Sequence, residues 1–146
     1  MNKKCMFFFI IVNLAVCVYT QDFYNVQKDN GSWEIYNRNN SYVTTGRLEN
    51  FDGNYYNVQK DKGNWEIYNR NMSYVTTGRA FVVDDRYYNV QKDNANWEIY
   101  NNNMSYVTTG RAEKAPNGNY NVQKNNGNWE IYNGNMSYQS TGRMSY

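Results

Sequence analysis

The chain has 146 residues, 40% hydrophobic and 18% aromatic, with two cysteines, no histidine and a formal net charge of +2. Lys3, Lys4, Cys5 and Cys17 all fall in the first twenty residues, which leaves 13 of the 15 basic residues against 13 acids beyond them. That remainder excludes Ser-His and Cys-His nucleophiles and imidazole or thiolate metal sites. It also withdraws the charge that phosphate-driven nucleic-acid binding or a polybasic membrane footprint needs.

Residues 1–20 read as a secretory signal peptide. Lys3 and Lys4 form a basic start, Met6 to Val12 is apolar, and Leu14 to Val18 continues the run after Asn13. An uncleaved anchor is the competing reading, but the run falls short of the roughly 20 apolar residues that span a bilayer. Cleavage is expected near Thr20–Gln21, or nearer Cys17. The expectation is a secreted, extracellular protein with no membrane span after cleavage. Residues 21–146 then form a single domain held without disulfides.

Beyond the leader, Tyr24–Arg47 (YNVQKDNGSWEIYNRNNSYVTTGR) recurs as Tyr56–Arg79, Tyr88–Arg111 and Tyr120–Arg143. Successive starts are 32 residues apart, and the spacers 48–55, 80–87 and 112–119 differ in content but not in length. A fixed short period is the signature of a repeat architecture. A constant distance between stacked units explains the constant spacer; recent tandem duplication does so equally well.

Within one copy, Tyr24-Asn25-Val26-Gln27-Lys28 alternates apolar and polar, as a half-buried strand does. Asn30-Gly31 suits a two-residue type I′ turn, which sets Val26 opposite Ile35 and Lys28 opposite Trp33. A second two-residue turn at Arg38-Asn39 sets Ile35 opposite Tyr42 and Trp33 opposite Thr44. The inner face then holds Tyr24, Val26, Trp33, Ile35, Tyr42 and Thr44, and the outer face Asn25, Gln27, Glu34 and Tyr36. Each copy is expected to be a three-stranded antiparallel meander. In copy three Ala95 replaces the turn glycine, so that hairpin is expected to be weak or to use a longer loop. A lone meander cannot bury its aromatics. The predicted fold is therefore all-β: four tandem meanders stacked as a β-hairpin solenoid or closed as a small propeller-like ring.

No enzyme is expected. Glu34, Glu66, Glu98 and Glu130 each follow a tryptophan, and a pair of carboxylates is what glycoside hydrolysis requires. Four equivalent environments, however, do not give the unequal pKa values that acid–base chemistry needs. Asp29-Asn30-Gly31 lacks the remaining ligands of a calcium loop, so no metal or cofactor is expected.

Asn39, Asn71, Asn103 and Asn135 each open an N-x-S sequon at one repeat position, and Asn30 opens a fifth. At exposed turns they are expected glycosylation sites in a eukaryotic secretory pathway. An Asn- and Ser-rich turn also matches so short a pattern by composition, and one duplicated match counts once.

Sugars offer apolar faces for stacking and hydroxyls for amides, carboxylates and guanidinium groups, so recurrent aromatics beside polar side chains suit them. Repetition adds avidity. Trp33 and its equivalents serve either as core or as ligand contacts. The outer face supplies the candidate binding residues: Tyr36, Tyr68, Tyr100 and Tyr132; Glu34, Glu66, Glu98 and Glu130; Gln27, Gln59, Gln91 and Gln123.

The string Lys28-Asp29-Asn30-Gly31-Ser32-Trp33, with Asn37, Asn39 and Thr45-Gly46, resembles the choline-binding and glucan-binding cell-wall repeats. That resemblance covers about 20 residues of each copy and implies stacked β-hairpins and a surface-binding role. Glu34-Ile35 stands where those repeats have paired tyrosines and Arg47 where they have a second tryptophan, so their cation–π cage is not carried over.

The leading expectation is a secreted non-enzymatic protein that binds glycans or a glycosylated surface. One alternative is a structural coat, adhesive or fibre protein, since fifteen of the sixteen tyrosines lie beyond the leader and near-identical strands favour self-association. Another is a multi-copy peptide precursor cut at Gly46-Arg47, Gly78-Arg79, Gly110-Arg111 and Gly142-Arg143.

Overall fold

A computed structural model describes residues 22–146; the expected signal peptide lies outside them. The described chain is all-β and has no helix. In order, the strands are β1 (Phe23–Gln27), β2 (Trp33–Asn37), β3 (Tyr42–Thr45), β4 (Arg47–Asn50), β5 (Tyr55–Gln59), β6 (Trp65–Asn69), β7 (Tyr74–Thr77), β8 (Arg79–Val82), β9 (Tyr87–Gln91), β10 (Trp97–Asn101), β11 (Tyr106–Thr109), β12 (Arg111–Lys114), β13 (Tyr120–Gln123), β14 (Trp129–Tyr132) and β15 (Tyr138–Thr141). They form four antiparallel meander sheets, β1-β2-β3, β4 to β7, β8 to β11 and β12 to β15. The spacers thus supply the first strand of the second, third and fourth sheets. The sequence repeat and the structural repeat are out of phase.

The turns differ from the two-residue expectation. Lys28 N–H donates to Ser32 O at 2.9 Å and Gly31 N–H to Lys28 O at 2.8 Å, so three residues, Asp29-Asn30-Gly31, form the loop. This is the type I turn closed by a left-handed residue, with Gly31 at φ 83°. One added loop residue slips the pairing by one: Gln27 faces Trp33, Val26 faces Glu34, Asn25 faces Ile35 and Tyr24 faces Tyr36. The slip redistributes the faces. Tyr24, Val26, Glu34 and Tyr36 share one side, and Asn25, Gln27, Trp33 and Ile35 share the other.

The second turn also spans three residues, with Asn37 paired to Ser41. A bulge then places Ile35 opposite Thr44 and Tyr36 opposite Tyr42. Ala95 adopts φ 66° in the same loop as its glycine counterparts, so copy three keeps the loop length and places an alanine in a strained region.

The sheets pack in series, the Ile side of one on the Tyr/Val side of the next. Ile35 clusters with Leu48, Tyr56 and Val58. Ile67 clusters with Ala80, Tyr88, Val90, Tyr100 and Met104, and Ile99 with Ala112, Tyr120, Val122, Tyr132 and Met136. Among the described residues no cluster joins the fourth sheet back to the first, as a closed ring requires. Asn40, Met72, Met104 and Met136 occupy the left-handed position of the second turn at φ 57–60°. That conformation costs about 1–2 kcal/mol, which burying a methionine side chain between sheets, worth about 1.5–3 kcal/mol, offsets. Among the described residues no sheet precedes copy one, and there the residue is Asn40, which accepts a hydrogen bond from Tyr24 at 2.7 Å. In copy four the exposed Gln139 stands where Val43, Val75 and Val107 pack inward. Polar replacements at the two outer faces are what terminal repeats need.

Buried asparagines join one sheet to the next. Asn57 Nδ2 donates to Ala80 O at 3.0 Å, and Ala80 N–H donates to Asn57 Oδ1 at 2.8 Å. Asn25 holds Leu48 and Asn89 holds Ala112 in the same way. Each asparagine stands in for a strand's peptide group across the crossing. Beside it, the buried Gly78 (φ 109°) lies so close to the next sheet that a Cβ would sit 2.7 Å from Gln91 O.

Candidate functional site

The residues expected on one outer face divide between two places. Glu34 and Tyr36 lie together, with the Tyr36 hydroxyl donating to Glu34 Oε2 at 2.7 Å and Lys28 Nζ 3.1 Å from the same oxygen. The Tyr36 hydrogen bond, then Lys28, holds the Glu34 carboxyl below its ordinary range. The trio recurs as Lys60-Glu66-Tyr68, Lys92-Glu98-Tyr100 and Lys124-Glu130-Tyr132. Lys60 and Lys92 also reach back to the preceding sheet, Lys60 donating to Thr44 Oγ1 and Thr45 O at 3.1 Å. Burial is the main cause that raises the hydroxyl pKa of Tyr68 and Tyr100, and Tyr100 and Tyr132 are buried outright. In the second to fourth copies these side chains tie one sheet to the one before it, whereas in the first copy Lys28 is exposed and Glu34 and Tyr36 are half-exposed. The one-residue slip sets Glu34 and Tyr36 on the Tyr24 side.

Gln27, Gln59, Gln91 and Gln123 lie on the tryptophan side. Arg47, Gln59 and Trp65 are partners across three adjacent strands, as are Arg79, Gln91 and Trp97 and Arg111, Gln123 and Trp129. The arginine of each row lies over the tryptophan of the sheet before it, Arg47 on Trp33 at 5.5 Å, Arg79 on Trp65 at 4.5 Å and Arg111 on Trp97 at 5.2 Å. Arg143 covers Trp129 at 4.3 Å. The result is a half-exposed column that alternates indole, guanidinium and amide along the series.

At the first junction the column opens into a pocket of about 220 Å³ lined by Trp33, Arg47, Gln59, Lys60 and Asp61, with Gly31 and Gly63 at its rim. At the later junctions the hairpin tip leans in. Trp65 N–H donates to Asp93 at 3.3 Å, and Trp97 N–H donates to Asn125 Oδ1 at 2.8 Å. No corresponding bond joins Trp33 to Asp61 among the described residues. The arginines were missed as site residues because each follows a glycine in sequence and reaches its tryptophan only across the sheet crossing. Their recurrence after every Thr-Gly was the available signal.

A second recurrent surface was also missed. Tyr42, Tyr74, Tyr106 and Tyr138 lie on the edge strands β3, β7, β11 and β15, each 53–55% exposed. Their rings meet Tyr36, Tyr68, Tyr100 and Tyr132 edge-on at 5.9–6.0 Å.

The sequon residues Asn39, Asn71, Asn103, Asn135 and Asn30 are all exposed. At the second turn the preceding asparagine does the structural work: Asn37 Oδ1 accepts from the Asn39 and Ser41 N–H groups, which leaves the Asn39 side chain free of the turn. Gly46, Gly78 and Gly110 are buried at the sheet crossings, whereas Arg47, Arg111, Gly142 and Arg143 are exposed. Among the described residues no cluster of side chains suits a metal ion, and no helix is long and apolar enough to cross a membrane.

No protein-family model matches this chain and no curated protein matches it, so the likeness to cell-wall repeats rests on the turn motif alone.

Proposed function

We propose that this is a secreted, non-enzymatic binding protein for glycans or a glycosylated surface, and that the Trp-Arg-Gln column is its binding face. The observation that carries this reading is the first-junction pocket, where an indole, a guanidinium, an amide and a carboxylate converge on one small open site. Sugars need that combination, with apolar ring faces stacking on the indole and hydroxyls bridging the polar groups. Repetition of the row along the series adds avidity for a polymer. The test is a glycan array and polysaccharide pull-down with the chain lacking residues 1–20. Retention on at least one polysaccharide is expected, reduced in the Arg47→Ala/Gln59→Ala variant. Folded protein that binds no carbohydrate refutes the reading.

The exposed row of Tyr42, Tyr74, Tyr106 and Tyr138 supports a second reading, a structural extracellular protein joined through tyrosines. Peroxidase treatment then yields dityrosine fluorescence in oligomers; a chain that stays monomeric and non-fluorescent argues against it.

A further inference from the structure

The four arginines of the column differ in how their charge is met. Arg79 Nη2 lies 2.8 Å from Glu49, and Arg143 Nη2 lies 2.9 Å from Glu113. Arg47 shares its pocket with Asp61. Arg111 has neither kind of partner among the described residues. Where Glu49 and Glu113 stand in their spacers, the second spacer has Phe81, and where Asp61 and Asp93 stand at the hairpin tips, the fourth copy has Asn125. Glu113, two residues along the same strand, is engaged by Arg143. All four arginines keep their tryptophan contact, so the fold is served equally with or without the acid.

The substitution also exposes apolar surface. Phe81 is 37% and Val82 52% exposed. The Phe81 ring lies 5.7 Å from Trp97 at 49°, with Arg79 at 5.2 Å from it. The exposed Phe81 ring and the Arg111 guanidinium both lie against Trp97, an arrangement that fits a partner apolar on one side and anionic on the other. Gln123, opposite Arg111 in the strand pair, is exposed and makes no side-chain hydrogen bond among the described residues.

From this convergence we infer that the junction of the third and fourth sheets is a subsite selective for a carboxylate-bearing sugar residue. Arg111 takes the carboxylate through its planar fork, Phe81 and Trp97 receive the apolar ring face, and Gln123 meets a hydroxyl. The inference rests on the glycan reading above and names its acidic class.

The experiment measures binding of oligogalacturonate and of its neutral methyl ester by calorimetry. The wild-type chain is expected to bind the acid about ten-fold tighter, as one charge-assisted contact provides, with the difference shrinking as salt rises. Arg111→Gln removes the preference by bringing the affinity for the acid down to that for the ester. Phe81→Glu, at an exposed position where folding is not at issue, restores the acid found in the other spacers and removes the preference as well. Arg38→Gln, the same charge change at the far end of the strands, leaves it intact. Equal wild-type affinity for acid and ester overturns the inference and leaves the glycan reading standing, as does a preference that survives both variants. Poly-glutamate competing as well as oligogalacturonate overturns it by showing that the sugar is not recognised. Binding of neither carbohydrate, nor of any neutral glycan, overturns both.

Discussion

The asparagine bridge gives the sharpest test of how the sheets are joined. Replacing Asn57 with leucine keeps the branched shape of the side chain but strands the Ala80 N–H and C=O, which it meets at 2.8 and 3.0 Å in a buried setting. Each stranded group costs about 1–3 kcal/mol. Added apolar burial returns about 1–2 kcal/mol, so the net loss is about 1–4 kcal/mol, a substantial part of a domain's usual 5–15 kcal/mol. Asn121 is the internal control. It makes the same pair of bonds to Met144, but its partners lie at a half-exposed chain segment, where water replaces what leucine removes. Asn121→Leu should therefore cost only about 0.5–1.5 kcal/mol. Urea unfolding of the two variants, compared at equal slope, measures both. Asn57→Asp adds a signature: its carboxylate opposes the Ala80 carbonyl, and protonation restores a donor, so this variant regains stability as pH falls. Costs for Asn57→Leu and Asn121→Leu that agree within about 0.5 kcal/mol would refute the assignment of the bridge as a buried peptide surrogate.

Other outcomes follow from local geometry. Gly78→Ala should lose about 1–3 kcal/mol more than Gly142→Ala, because both carry φ near 110° but only Gly78 has the next sheet within van der Waals range; thermal melts of the pair decide. Ala95→Gly relieves the alanine at φ 66° and should stabilise the protein by about 0.5–1 kcal/mol after the glycine's added unfolded-state entropy, a rise of about 2–4 °C in Tm. The network of Asp84, Lys114, Tyr120 and Arg86 predicts losses at both ends of the pH scale. Burial raises the Asp84 pKa, but Lys114 at 2.8 Å and the Tyr120 hydroxyl at 2.6 Å outweigh it and hold the carboxyl at about 2. Its contribution is present above pH 4 and is lost as pH falls toward 2. Burial, with Asp84 beside it, raises Tyr120 to about 12, so that contribution is present below pH 10 and lost as pH rises toward 12. Asp84→Asn should flatten the acid limb of a stability–pH profile; an unchanged limb refutes the role.

The recurrence of Tyr24–Arg47, the all-β meander and the exposed second-turn asparagines were legible in the sequence because each rests on local chemistry, namely turn formers, alternation and period. The faces were not. Asn30-Gly31 satisfies both a two-residue and a three-residue loop, and only the packed structure shows that Gly31 alone needs positive φ. That single residue of slip moved Trp33 and Ile35 away from Tyr24 and Val26 and set Glu34 and Tyr36 on the Tyr24 side, the side that is covered by the preceding sheet in the later copies. Asn25 differs for another reason: polar alternation marks it as outward-facing, whereas its buried amide bonds the Leu48 backbone 23 residues away. Both faces of an inner sheet are covered, so the usual division into one wet and one dry side does not apply. Arg47 and Tyr42, which carry the two surface columns, are placed by the sheet crossing and by a bulge, and local alternation does not reveal either placement.

The offset between sequence copy and sheet bears on how such an array changes length. A duplication of one 32-residue period, wherever its ends fall, restores every glycine crossing and asparagine bridge, because each joins residues one period or less apart. A gain or loss within the strands that is not a whole number of periods breaks the register of strand and crossing. The smallest exchangeable module therefore runs from Arg47 to Gly78, strand to crossing, and unequal recombination in whole periods can lengthen the column without inventing a new interface.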